Sequence, residues 1–319
     1  MRILVTGGSG FIGSHLVEQL IKLNHSVTVL DNFSTGSREN LSSLSTNSSL
    51  KVVEGSILDQ PLLRELISDS EYVFHLAAAV GVFNIVKHPL ESLLTNIRGT
   101  ENVLEFANQS KTPVFLTSSS EVYGKNISDS LRESDDRVLG SPTTLRWSYS
   151  EAKAIDESLA YAYFIEKRLE TRIVRFFNTV GPRQLGSYGM VVPRFIKAAL
   201  ANEPITIYGN GLQTRCFAHV YDVVEAVVAL AFEPNAIGKV VNIGNNFEIS
   251  IKDLATKIIS QTGSQSKIVY IPYSEAYGEG FEDMERRVPN LELVKDLVSW
   301  IPSRDLTTMI SDIAAEMTR

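Results

Sequence analysis

The sequence predicts an α/β protein: a doubly wound parallel sheet followed by a smaller mixed C-terminal lobe. Three observations lead to this expectation. A glycine-rich turn, Gly7-x-x-Gly10-x-x-Gly13, joins an apolar run to a helix-like pattern. Short runs of Val, Ile, Leu and Phe then alternate with amphipathic stretches to about residue 180. Strands that are apolar on both faces, separated by helices, belong to a parallel sheet covered on both sides. Beyond residue 180 the rhythm changes, punctuated by Gly181-Pro182-Arg183.

The first element is a buried strand over Ile3, Leu4 and Val5, and the helix after the turn presents Phe11, Ile12, Leu16, Val17, Leu20 and Ile21 to a core. Gly7 permits the turn, Gly10 lets backbone approach a pyrophosphate, and Gly13 lets helix and strand pack closely. A second strand, Ser26-Val27-Thr28-Val29-Leu30, ends at Asp31, 18 residues past Gly13. A carboxylate there accepts hydrogen bonds from an adenosine ribose and repels a 2′-phosphate. Asn32, Phe33 and Ser34 follow with no arginine, which favours NAD over NADP. This is the pattern of a Rossmann sheet.

Further strands are expected at 51–54, 72–76, 113–118 and 172–176, and helices at 60–68, 90–109 and 149–168, with polar loops at 36–50 and 125–147. In the second half, helices are expected at 193–201, 222–232 and 251–262, and strands at 205–208, 240–243 and 267–271. The expected division is 1–180, the dinucleotide-binding domain, and 181–319, mainly a substrate-binding lobe.

Composition narrows the function classes. The chain has 319 residues, 44% of them hydrophobic, which is enough for a substantial core. The net charge of −7 and the absence of a basic stripe argue against nucleic-acid binding. A single cysteine, Cys216, points to a reducing compartment, and no apolar run approaches membrane-spanning length or marks a leader. A cytoplasmic location is therefore expected. His15, His25, His75, His88 and His219 lack ligand spacing, so no metal site is expected.

Tyr149-Ser150-Glu151-Ala152-Lys153 places a phenol and an ammonium on one helix face. A lysine and a bound nicotinamide cation lower a phenol pKa, so the tyrosinate can act as a base near neutral pH. The hydroxyl cluster Thr117-Ser118-Ser119-Ser120 ends the strand 30 residues earlier, at the carboxyl edge where open parallel sheets place their sites.

With these motifs the chain resembles the extended short-chain dehydrogenase/reductases that modify nucleotide sugars. The resemblance rests on Gly7-x-x-Gly10-x-x-Gly13, Asp31, His75-Leu76-Ala77-Ala78, Ser118-Ser119-Ser120-Glu121-Val122-Tyr123-Gly124, Tyr149-x-x-x-Lys153 and Arg175-Phe176-Phe177-Asn178. It implies that Ser119 is the catalytic hydroxyl, Tyr149 the base and Lys153 its partner. Cofactor contacts are implied from Gly7, Gly10, Phe11, Ile12 and Gly13, from Asp31, Asn32, Ser34 and Gly36, and from Leu76, Ala77, Ala78 and Asn96. Ser118, Tyr149, Lys153 and Phe176 complete them. Where the family carries an Asp near the adenine, this chain has Ser56-Ile57, and Ser56 takes over as acceptor. Asn178 and Arg215 are implied at the substrate diphosphate, with Val192, Thr206 and Tyr208 beside the nucleotide.

The Ser-Ser-Glu-Val-Tyr-Gly segment, Arg146-Trp147-Ser148-Tyr149, and Tyr277 to Asp283 followed by Arg286-Arg287-Val288-Pro289 look most like UDP-glucuronate decarboxylases. The implied reaction begins with oxidation at C4. A 4-keto-hexuronate is a β-keto acid and loses carbon dioxide readily. Tyr149 and Arg287 are expected to flank the enolate, with Ser120 and Glu121 positioning the departing group and relaying protons. Met190 stands where these decarboxylases usually carry Arg, and Phe281 where one of them has Tyr. A UDP-sugar 4-epimerase is the alternative, a 4,6-dehydratase the third reading, and a dinucleotide sensor the non-enzymatic one. Relatives pair the helices at 90–109 and 149–168 into a four-helix interface, so a homodimer is expected.

Overall fold

A computed structural model describes residues 1–81, 87–186, 190–273, 275 and 284–318. The Tyr277–Asp283 stretch, with Phe281, lies outside them. Six strands form in order: β1 (Arg2–Thr6), β2 (Ser26–Asp31), β3 (Leu50–Glu54), β4 (Tyr72–His75), β5 (Val114–Ser119) and β6 (Thr171–Phe176). Between them run α1 (Phe11–Lys22), α2 (Gln60–Ser68), α3 (Pro89–Ser110) and α4 (Ser148–Lys167). The second half contributes β7 (Thr179–Val180), α5 (Val191–Leu200), β8 (Ile205–Tyr208), β9 (Thr214–Cys216), β10 (Ala218–His219) and α6 (Val220–Ala231). It continues with β11 (Val240–Ile243), β12 (Glu248–Ser250), α7 (Ile251–Thr262), β13 (Ile268–Ile271), α8 (Glu292–Val298) and α9 (Leu306–Met317).

The expected doubly wound sheet is present. Seven strands lie in the order β11-β6-β5-β4-β1-β2-β3, and every pair is parallel. Successive side chains go to opposite faces. Ile3 and Val5 join Phe74, Phe115 and α1 in one buried cluster, while Leu4 joins Val73, Leu116, α2 and α3 in another. The sheet order reverses between β1 and β4, which opens a crevice past the strand ends there. A third cluster, built from Phe195 and Ile196 of α5, Ile205 and Ile207 of β8, Leu254 of α7 and Ile310 of α9, forms the smaller lobe.

Part of the 181–319 segment returns to the main sheet. β11 pairs with β6 in the main sheet, and α6, Val294 of α8 and Trp300 pack into the same cluster as α1. The chain leaves the sheet, builds part of the lobe, and returns. Apolar β11 completes an edge of the sheet that β6 would otherwise expose to water. No described helix is long and apolar enough to cross a membrane.

Candidate active site

A cavity of about 570 Å³ runs from the glycine turn, past the ends of β4 and β5, to α5 and β8. At one end, α1 starts at Gly10, whose N-cap position offers no side-chain acceptor, so its first N–H groups are left for a ligand. Gly7 sits at φ +71°, and a Cβ there would come within 2.7 Å of the Ala77 backbone nitrogen. A Cβ on Gly13 would meet the Gly7 carbonyl oxygen at 2.2 Å. Asp31 accepts from the Ser9 N–H at 2.9 Å and the Phe33 N–H at 2.8 Å, one on each oxygen, and keeps lone pairs for a ribose. Burial raises its carboxyl above the usual value, and the two backbone donors oppose that rise. These features fit NAD.

Phe11, Ile12, Asn32, Ser34, Ser56, Ile57, Leu76, Ala77, Ala78, Ser118 and Phe176 all line the cavity. Gly36 and Asn96 do not. Asn96 instead brackets Ala79, accepting from its N–H at 2.7 Å and donating to its carbonyl at 3.2 Å. Gly36 packs behind Asp31, where a Cβ would meet the Ser9 backbone at 2.9 Å and the carboxylate at 3.1 Å. Ser56 accepts from the Leu58 N–H at 3.1 Å, and Asp59 caps α2 through the Leu62 N–H.

Ser119, Tyr149 and Lys153 all line this cavity. Ser119 ends β5 and caps the following turn, its Oγ accepting from the Glu121 N–H at 3.2 Å. Its O–H donates to no described residue. Lys153 is buried and donates from Nζ to the Thr117 carbonyl at 3.0 Å and to Asp156 Oδ2 at 3.3 Å. Burial raises the Asp156 carboxyl and the Lys153 ammonium draws it back down. The expected lowering of the Tyr149 phenol is not a property of the protein alone. Burial pushes it well above the usual tyrosine range, and the Glu121 and Asp156 carboxylates push it further. The charge of Lys153 is spent on Asp156, so a second cation is needed to favour tyrosinate.

Glu121 is ion-paired on both of its oxygens. Its Oε1 accepts from Arg287 Nη1 at 2.6 Å, and Oε2 pairs with Arg146 Nη1 at 2.6 Å. Burial alone would raise this carboxyl, but the two guanidiniums hold it well below the usual carboxylate range. A carboxylate so clamped is a poor proton relay. It fixes Arg287, whose Nη2 also donates to Asn178 Oδ1 at 2.7 Å. Arg287 Nε is buried without a partner among the described residues. Asn178, expected at the diphosphate, spends its Nδ2 on the Cys216 carbonyl at 3.0 Å. Ser120 is a buried residue of the cavity wall, and Ser118 donates to Glu157 Oε1 at 2.5 Å, within a two-bond Arg175–Glu157 pair.

In the lobe, Val192, Tyr208 and Arg215 reach the cavity, and Thr206 does not. Arg215 is held by the Thr214 carbonyl at 2.8 Å. Met190 also lines the cavity, at the N-cap of α5. Sequence reasoning did not assign Asp156, Arg146 or Arg194 to the site. Asp156 lies three residues past Lys153, a helical spacing that marks it as a partner. Arg146 stands in the Arg146-Trp147-Ser148-Tyr149 motif, which gave it no role, and Arg194 carries no such local signal.

A protein-family model described as NAD dependent epimerase/dehydratase family matches residues 3–244. The chain is 42% identical over 303 residues to the UDP-N-acetyl-α-D-glucosaminuronate decarboxylase of Bacillus cytotoxicus, covering 95% of this chain and 93% of that protein. It is 36% identical to UDP-glucuronic acid decarboxylase 1 of Xenopus tropicalis, covering 94% of this chain and 68% of that one. The fold is similar to a UDP-glucuronic acid 4-epimerase from Bacillus cereus, solved with UDP-glucuronic acid and NAD, at a TM-score of 0.90 and 29% identity. That match covers 100% of this chain and 99% of the other.

Proposed function

The chain belongs to the NAD-dependent epimerase/dehydratase family, and from that premise we propose that it is a UDP-hexuronate decarboxylase working through a 4-keto sugar. The observation that carries this reading over its alternatives is the Arg146–Glu121–Arg287 cluster in the same cavity as Tyr149 and Ser119. An epimerase needs only C4 chemistry. A decarboxylase also needs a fixed cation beside the carboxylate and enolate, and Glu121 supplies it by anchoring Arg287.

NAD, which the glycine turn and Asp31 would hold, would supply the hydride acceptor and donor for C4. Tyr149 takes the C4 hydroxyl proton, and Ser119 donates a hydrogen bond to that oxygen. Lys153, held by the Thr117 carbonyl and Asp156, fixes the face of α4 from which Tyr149 projects. Arg287 steadies the enolate oxygen, and C5 takes up one proton from solvent as carbon dioxide leaves, while the two guanidiniums hold the Glu121 carboxyl below its usual range.

The test is NMR of the NAD-loaded protein with UDP-glucuronate and, separately, UDP-N-acetylglucosaminuronate. A UDP-pentose or its 2-acetamido counterpart, with carbon dioxide, is expected. UDP-galacturonate or its 2-acetamido counterpart would make the protein a 4-epimerase, a reading favoured by the close fit to the Bacillus cereus structure. We also propose a cytoplasmic homodimer. The single cysteine supports a reducing compartment, and exposed Ile155, Tyr161 and Ile165 of α4 and Leu90 of α3 support pairing through these helices.

A further inference from the structure

We propose that Arg194 grips the diphosphate of the nucleotide-sugar substrate, and that its stack on Tyr208 presents it for that task. The inference rests on the nucleotide-sugar reading above and assigns one part of it to a residue.

The cations of the cavity wall divide sharply. Arg146 and Arg287 are committed to Glu121, Lys153 to Asp156 and the Thr117 carbonyl, and Arg215 to the Thr214 carbonyl. Arg194 lies in the same wall and makes no side-chain hydrogen bond or ion pair among the described residues. Its Nε is buried without a partner. A buried donor left unmade is unfavourable unless something else satisfies it.

The shape of the stack says what that partner presents. The guanidinium lies 4.4 Å from the Tyr208 ring centroid and 5.2 Å from that of Phe195. Tyr208 is itself held, its carbonyl accepting at 3.0 Å from Gln213 Nε2, which also bonds the Tyr273 hydroxyl at 3.0 Å. Both rings approach the guanidinium carbon, and the five donors of a guanidinium lie in its own plane. Two parallel N–H groups in that plane match the paired oxygens of a phosphate. A planar base would compete with Tyr208 for the face of the guanidinium instead.

Position separates the diphosphate from the sugar carboxylate. Arg287 and Glu121 stand with Tyr149, where the sugar reacts. Arg194 stands in the first turn of α5, on the lobe. The Met190 N-cap of α5 supplies no side-chain acceptor, so the Val191 and Val192 N–H groups and the helix dipole add to the same anion-favouring wall.

The test is calorimetric binding of UDP, UMP and uridine to the NAD-loaded wild type, Arg194→Gln and Arg194→Lys. Arg194→Gln is expected to weaken UDP about ten- to hundred-fold, the span for lost hydrogen bonds to a charged group, and uridine less than about two-fold. Arg194→Lys, which keeps the charge and loses the fork, is expected to fall between. In turnover the loss is expected in KM, with kcat near wild type, as for uniform binding. Equal losses for UDP and uridine would overturn the assignment, because Arg194 would then serve the base or the stack. Unchanged UDP affinity in both variants would overturn it too. If Arg194→Gln fails to fold, Arg194→Lys decides by the same UDP-to-uridine comparison. A wild type that binds NAD but no UDP would instead sink the nucleotide-sugar reading itself.

Discussion

Glu121 shows how a single side chain changes meaning once its neighbours are known. In sequence it is an acid after a hydroxyl cluster, well placed to relay protons; in the folded protein it is the anion between two buried guanidiniums. Glu121→Gln leaves Arg146 and Arg287 without that charge, so we expect turnover to collapse and stability to fall by about 3 kcal/mol, as for a broken buried pair. The folded carboxyl lies below its unfolded value of 4.5. Its contribution is therefore complete above about pH 4.5 and is lost as pH falls through the lower folded value. Urea midpoints of the two proteins from pH 7 to pH 3 should converge toward the acid end; parallel curves would refute the clamp. Tyr149→Phe removes the base and leaves the wall intact. It is expected to lower kcat about 10²- to 10⁴-fold while NAD affinity stays near wild type. Retained turnover would remove Tyr149 from the mechanism.

At the scale of elements, α4 carries much of the chemistry. Tyr149, Lys153, Asp156 and Glu157 occupy its first three turns and face β5 and β6. The Tyr149–Lys153 spacing was legible because a helix repeats every 3.6 residues. The Glu121 clamp was not, because its two arginines come from 25 residues ahead and 166 residues ahead, one of them in the second half of the chain. The β1–α1 turn supports a sharper prediction. Gly13→Ala places a Cβ 2.2 Å from the Gly7 carbonyl, so it should cost about 3 kcal/mol or more of stability. Gly10→Ala meets the same carbonyl only at 3.2 Å and should fold with a loss under about 1 kcal/mol, yet bind NAD poorly, because the second glycine of such a turn is where backbone must approach the pyrophosphate. Thermal melts and NAD titrations of both variants distinguish the two effects; equal loss of stability would contradict them.

For the whole molecule, the return of β11 to the sheet ties the two halves together. α6 and α8 share a core with α1, and Arg183 joins Glu18 of α1 at 2.5 Å while its backbone N–H donates to Glu316 of α9 at 2.5 Å. We expect one cooperative unfolding transition instead of two, checked by calorimetry. The exposed Ile155 and Ile165 of α4, 41% and 53% accessible, are the surface on which the proposed dimer depends. Ile155→Asp with Ile165→Asp should halve the sedimenting mass to that of one 35.3 kDa chain; a wild type that is already monomeric at micromolar concentration would remove the dimer.

By itself the sequence determined the sheet class, the glycine turn, Asp31 at the end of β2 and the Tyr149–Lys153 pair. Each is written in local periodicity or in a turn that only glycine tolerates. Only the tertiary structure decided that β11 belongs to the main sheet, that Asn96, Gly36 and Thr206 stand off the cavity, and that Arg194 Nε finds no partner among the described residues. These depend on which distant segments meet. Local patterns specify the face a residue occupies, while its partner, and hence its charge and task, is chosen by packing across the sheet and between the lobes.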